Sequence, residues 1–158
     1  MGCGVSEISN DRDALERLVI DFTEAFNKED IDEVMSYFAE DAFYDEFNDV
    51  RHRGKEAIRA AFIPQFRGDF GRMRFHTEDM FVETGPGPGD GKALIRWLLT
   101  FEETERAYGW RGLDILHFEG GGLTEKHTYA KAGSPVVEKE KNSPRIRRAI
   151  DEGVLLEL

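Results

Sequence analysis

Apolar residues recur at helical spacing in the first third of the chain and at alternating spacing in the middle. Between Asp11 and Asn27, Leu15, Leu18, Val19, Phe22 and Phe26 form one stripe of an amphipathic helix, with Ser9 or Asn10 placed to cap it. Asp30 can cap a second helix whose apolar side is Ile31, Val34, Met35 and Phe38, and Glu33 follows three residues later, as in a capping box. The aromatics of DAFYDEF, residues 41–47, predict a strand. Gly54 opens a third helix, with Ala57, Ile58, Ala61 and Phe62 inward, and Pro64 interrupts or ends it.

After Gly71 the period changes to two. Residues 72–84 and 92–105 predict strands, separated by the glycine- and proline-rich loop 85–91. On the second of these strands Ile95, Trp97, Leu99 and Phe101 share one face, while Arg96, Leu98 and Thr100 share the other. A further strand ends at Glu119, Gly120-Gly121-Gly122 makes a hairpin turn, and residues 123–131 close the set. Three helices followed by consecutive hairpins predict an α+β architecture. The pattern divides the chain into a flexible N-terminus (1–10), one domain (11–131) and a polar C-terminal extension (132–158), in which residues from Pro144 onward can form a short helix or a disordered tail.

One position breaks the alternation. Asp114 shares a strand face with Leu116 and Phe118, where an acid costs energy unless it is paired or protonated. It is therefore either a satisfied structural group or the working end of a pocket. His117 has the opposite parity and belongs on the other face.

Composition narrows the classes. The 158 residues, 40% hydrophobic with 12 Phe, suffice for one packed core. Net charge is −11, from 21 basic and 32 acidic residues, which opposes binding to nucleic acid or an anionic membrane by charge alone. The single cysteine, Cys3, excludes an internal disulfide and a cysteine-rich zinc site, and it predicts a reducing, cytoplasmic location. No two histidines have the i, i+4 spacing of a zinc helix, so no metal site is expected. Dinucleotide, phosphate-loop and serine-hydrolase motifs do not occur, so no cofactor is expected either. MGCGVS fits the M-G-x-x-x-S myristoylation pattern, with Cys3 placed for a second acyl chain; membrane attachment is expected only if this N-terminus is acylated.

The order of elements, with D-A-x-Y, G-K-E-A-I-R and G-L-D-I-L-H-F-x-G-G-G-L-x-E-K-H in sequence, resembles the SnoaL-like branch of the NTF2-like superfamily over residues 11–131. That branch is related to ketosteroid isomerases, polyketide cyclases and limonene epoxide hydrolases. The resemblance implies a cone in which a curved, mostly antiparallel sheet wraps three N-terminal helices. It also implies an apolar pocket for a small hydrophobic ligand and a homodimer formed through the outer sheet face. Asp114 matches the acid that the isomerases keep protonated as a donor to a developing oxyanion. Their general base falls at Glu46, a carboxylate able to move a proton alpha to a carbonyl.

The departures are specific. Phe22 stands where the isomerases place an oxyanion-binding tyrosine. The epoxide hydrolases' relay is incomplete: Tyr44 and Asp114 match, but their arginine is Gly112, their second acid is Thr128, and Glu46 replaces their water-binding asparagine. The cyclases pair the acid with a polar neighbour, for which His52, His76 and His127 are candidates. The expected function is thus a cofactor-free isomerase, cyclase or lyase, with Asp114 and Glu46 catalytic and Phe22, Tyr44, Trp97, Leu116, His76 and His127 binding substrate. The alternative is a non-catalytic ligand-binding or dimerisation domain.

Overall fold

The computed structural model describes residues 4–132, with side chains from residue 11 onward. The candidate acylation site at Gly2 and Cys3 and the segment from Pro144 onward lie outside the described residues. Helices α1 (Gly4–Asn27), α2 (Ile31–Ser36) and α3 (Lys55–Phe66) pack on one face of a six-stranded sheet, ordered β2 (Arg51–Arg53), β1 (Phe38–Asp45), β6 (Gly122–Ala130), β5 (Ala107–Glu119), β4 (Gly91–Glu102) and β3 (Arg72–Thr84). Only the β1–β6 pairing is parallel, so the α+β class and the mostly antiparallel sheet match the expectation.

The helical stripe does what its spacing implies. Leu15, Val19, Phe22 and Phe26 are buried, and Phe26 packs edge-on to Phe22, Phe62 and Phe75 at 5.3–5.4 Å between ring centroids. Asn27, at the end of α1, ties the helix to β3 by exchanging two hydrogen bonds with the Phe75 backbone. The Asp30 carboxylate caps α2 by accepting from the Glu33 amide, while the Glu33 carboxylate is engaged by Lys28 instead of closing the box.

Three boundaries differ from the sequence reading. Helix α1 starts at Gly4, so Ser9 and Asn10 lie within the helix and not at its start. Pro64 lies within α3, which continues to Phe66. Residues 51–53, for which the sequence pattern predicts no element, form β2, which places His52 opposite Tyr44. Three residues flanked by charge carry too little periodicity to be read as a strand.

The sheet is irregular at points that matter for the site. A bulge on β3 falls between Thr77 and Asp79. On β6, Phe118 pairs with Leu123 but His117 pairs with Glu125, so Thr124 is the extra residue, and its hydroxyl bonds to the His117 carbonyl. Beyond this bulge the inward positions of β6 switch from odd to even numbers, and Leu123 and Lys126 are both buried.

Candidate functional site

Of four adjacent strands, β1, β5 and β4 send one side chain each, and β6 two, toward a common point on the helix-covered face. In the ladder Trp97 lies opposite Gly112, Asp114 opposite Thr128, and Tyr44 beside Lys126. The Asp114 carboxylate accepts from Trp97 Nε1 at 3.0 Å on Oδ2, and from Lys126 Nζ and Thr128 Oγ1, each at 2.6 Å, on Oδ1. Lys126 also donates to Thr128 Oγ1 at 2.6 Å and stands 4.9 Å from the centre of the Tyr44 ring. The Lys126 and Asp114 side chains retain only 6% and 8% exposure, so this is a buried ion pair.

The pair sits in the wall of a cavity of about 460 Å³. Phe22, Phe26, Phe62, Phe75, Trp97 and Trp110 are among its apolar lining; Asp114, Lys126, Thr128 and Glu46 supply polar groups. Phe47 and Phe70, both about half exposed, complete an aromatic rim. Such a chamber, apolar with a few convergent polar groups, has the size and character of a small-molecule site.

Gly112 shapes it. A Cβ there would collide with the Trp97 ring at Cη2 and lie 2.5 Å from the Tyr129 carbonyl oxygen. Its missing side chain lets the indole cross β5 and reach Asp114. The residue that removes the epoxide hydrolases' arginine is thus the one that admits Trp97.

Burial pushes the Tyr44 phenol well above its ordinary range, and the charges of Glu46 and Asp114 push the same way. Tyr44 therefore stays a neutral phenol and cannot serve as a base at neutral pH. The Glu46 carboxylate, just past β1, is hydrogen-bonded to His52 Nε2 at 2.9 Å, and the His52 ring stacks on Tyr44 with centroids 5.6 Å apart. His52 is half-buried by these contacts rather than free in a loop.

The cavity wall brings together Asp114, Glu46, Phe22, Tyr44 and Trp97 from among the residues singled out in the sequence. The remaining three lie elsewhere. Leu116 is fully buried in the core and does not line the cavity. His76 has the opposite parity to inward Phe75 and bonds Thr100 on the other face at 3.0 Å. His127 is also on the outer face, beside Asp45, His117 and Glu125, because the Thr124 bulge reverses the alternation that would have turned it inward. The same reversal explains why Lys126 escaped notice: counted regularly from Leu123, it belongs outside. On that outer face, burial holds the His117 imidazole below its ordinary value, and a hydrogen bond from His127 holds Glu125 below its own.

Three helices and a mostly antiparallel sheet enclosing one aromatic chamber define an NTF2-like fold. Residues 19–126 match the family model of the SnoaL-like domain, and the chain belongs to that family. Among solved structures it is similar to an NTF2-like protein of unknown function from Mesorhizobium loti (21% identity, 77% of this chain and 93% of that one, TM-score 0.61). It is also similar to Bal32a from a soil-derived mobile gene cassette (18% identity, 77% and 92% covered, TM-score 0.62). A third, a "putative polyketide cyclase" from Xanthomonas campestris pv. campestris, has 23% identity with 75% and 91% covered and a TM-score of 0.56. At these identities the likeness concerns the fold. No curated protein matches the chain. Among the described residues no helix is long and apolar enough to cross a membrane.

Proposed function

We propose that this SnoaL-like domain binds a small hydrophobic carbonyl compound in the aromatic cavity and catalyses a cofactor-free proton shift on it, as in isomerisation or ring closure. The observation that carries this reading is the Lys126–Asp114 ion pair, held at 2.6 Å in the wall of an otherwise aromatic chamber. A buried ion pair rarely improves stability over well-packed apolar residues, so its position in a cavity points to chemistry.

The roles differ from those of the isomerases. Asp114 accepts from three donors, and in this reading it orients Lys126 and balances its charge. Lys126 takes over the electrophilic task, its ammonium facing a substrate oxygen where Phe22 offers no hydroxyl. Glu46, with His52 behind it, is the base. It takes a proton from the carbon alpha to the carbonyl, the electron pair moves onto oxygen beside Lys126, and the proton returns to a different carbon. In a ring closure the enolate carbon attacks a second carbonyl, and the proton goes to the new alkoxide.

The test is deuterium incorporation from heavy water into a panel of cyclic aryl ketones, read by mass spectrometry. Exchange catalysed by the protein and reduced about 100-fold or more in Glu46→Gln and Lys126→Met supports the reading. No exchange with any bound ketone would contradict it. That outcome would favour a second reading, a non-catalytic binding domain, for which the three donors already engaged on Asp114 argue.

A further inference from the structure

The opposite face of the same hairpin carries a second constellation, which the cavity does not use. His117 on β5 and Glu125 on β6 are direct cross-strand partners, and His127 lies two residues beyond Glu125 on the same side. Glu125 Oε2 stands 2.9 Å from His127 Nε2 and 3.7 Å from His117 Nδ1, and the three donor atoms lie within 4.8 Å of one another. This is the one such histidine and carboxylate triad among the described residues.

With metal–ligand bonds of about 2.0–2.2 Å, two donors of a tetrahedral zinc site lie roughly 3.4 Å apart. The observed 2.9 and 3.7 Å bracket that spacing. Two imidazoles and one carboxylate also leave a fourth position open. The triad stands on paired strands, which hold ligands more precisely than loops do.

A second feature supports the arrangement. Asp45, the register partner of His127 on β1, places Oδ2 3.4 Å from His127 Nδ1. With Asp45 accepting from Nδ1, a bound cation would take the place of the proton through which Nε2 now hydrogen-bonds Glu125. The facing charges are mixed. Glu125 and Asp45 are anionic, whereas Arg51, 3.9 Å from Asp45, and Lys92, opposite His117 on β4, are cationic. The Lys92 ammonium is exposed on a flexible stem and can turn away.

We propose that His117, Glu125 and His127 bind a borderline divalent cation of the zinc, cobalt or nickel type on the outer sheet face, with Asp45 positioning His127. The histidine-rich donor set disfavours magnesium and calcium, which prefer oxygen ligands. Two strands joined by a bulged hairpin build the site, so no short sequence spacing announces it.

The test uses the full chain without an affinity tag, titrated with zinc by calorimetry and with cobalt by visible absorption. The expected result is one ion per chain, a stoichiometry that association through this face would not change. The cobalt bands should have the intensity of a low-coordinate site. Affinity should fall at least about tenfold in His117→Ala, His127→Ala and Glu125→Gln, and about tenfold in Asp45→Asn. Glu125→Gln preserves shape, and far-ultraviolet dichroism of each variant separates lost binding from lost fold. Absence of saturable binding would overturn the proposal. So would binding that survives both histidine substitutions, which would assign the ion to other donors such as Cys3.

Discussion

The two faces of the β5–β6 hairpin each set a carboxylate beside nitrogen bases, in opposite circumstances. On the inner face Asp114 and Lys126 form a pair with less than a tenth of either side chain exposed, inside an aromatic shell. On the outer face His117, Glu125 and His127 keep 31%, 43% and 23% exposure. Solvent screens the outer charges and leaves them free to exchange partners. The inner pair has no such freedom: each ion depends on the other, and any ligand must enter an environment already polarised by them. Burial, more than residue type, separates the two.

The sharpest way to break this contrast is to remove one partner from each face. Asp114→Ala strands a buried ammonium and should cost about 3 to 5 kcal/mol in chemical denaturation. Glu125→Ala on the outer face should cost about 1 kcal/mol or less. Equal losses would show that burial does not govern the difference. Replacing Asp114, Lys126 and Thr128 together by Leu, Met and Val should recover most of the Asp114→Ala loss, since no charge is then stranded.

Gly112→Ala probes how the inner face is assembled. The new methyl group would collide with the Trp97 ring and the Tyr129 backbone, so a loss of about 1 to 3 kcal/mol is expected, together with a shifted indole fluorescence maximum. An unchanged emission would mean that the indole does not depend on that vacancy.

Tyr44 gives a smaller effect with a definite sign. Its folded-state pKa is raised by burial, so the folded protein holds a proton that the unfolded chain releases. The stabilisation is full below the ordinary phenol range and is lost as pH rises above it. Wild-type stability should therefore decline between roughly pH 9 and pH 11, and Tyr44→Phe should flatten that decline. Parallel slopes in the two proteins would place the alkaline loss elsewhere.

Much of the fold was legible because its signals are local. The stripe from Leu15 to Phe26 and the alternation from Ile95 to Phe101 follow from the periods of a helix and a strand, and they fixed the inward faces of α1 and β4. Asp114 stood out for the same reason. What stayed hidden depends on register between distant segments. Lys126 reaches Asp114 only because Thr124 adds a residue to β6, and Tyr44 reaches Lys126 only through the parallel β1–β6 pairing. The same bulge sends His127 outward, against its expected role in the cavity. His76 was misplaced for a simpler reason: its neighbour Phe75, packed on Trp97 with centroids 5.2 Å apart, claims the inward position.

The most direct test of the central claim, that the Lys126–Asp114 pair is the recognition element of a ligand cavity, is a binding measurement. Aromatic hydroxy ketones would be titrated into wild type and Lys126→Met/Asp114→Leu, following Trp97 and Trp110 emission, with melting temperature as the control for fold. Saturable binding to wild type, weakened at least about tenfold in the double variant, is the predicted result. Equal binding by the two proteins, or none by wild type across the panel, would contradict it.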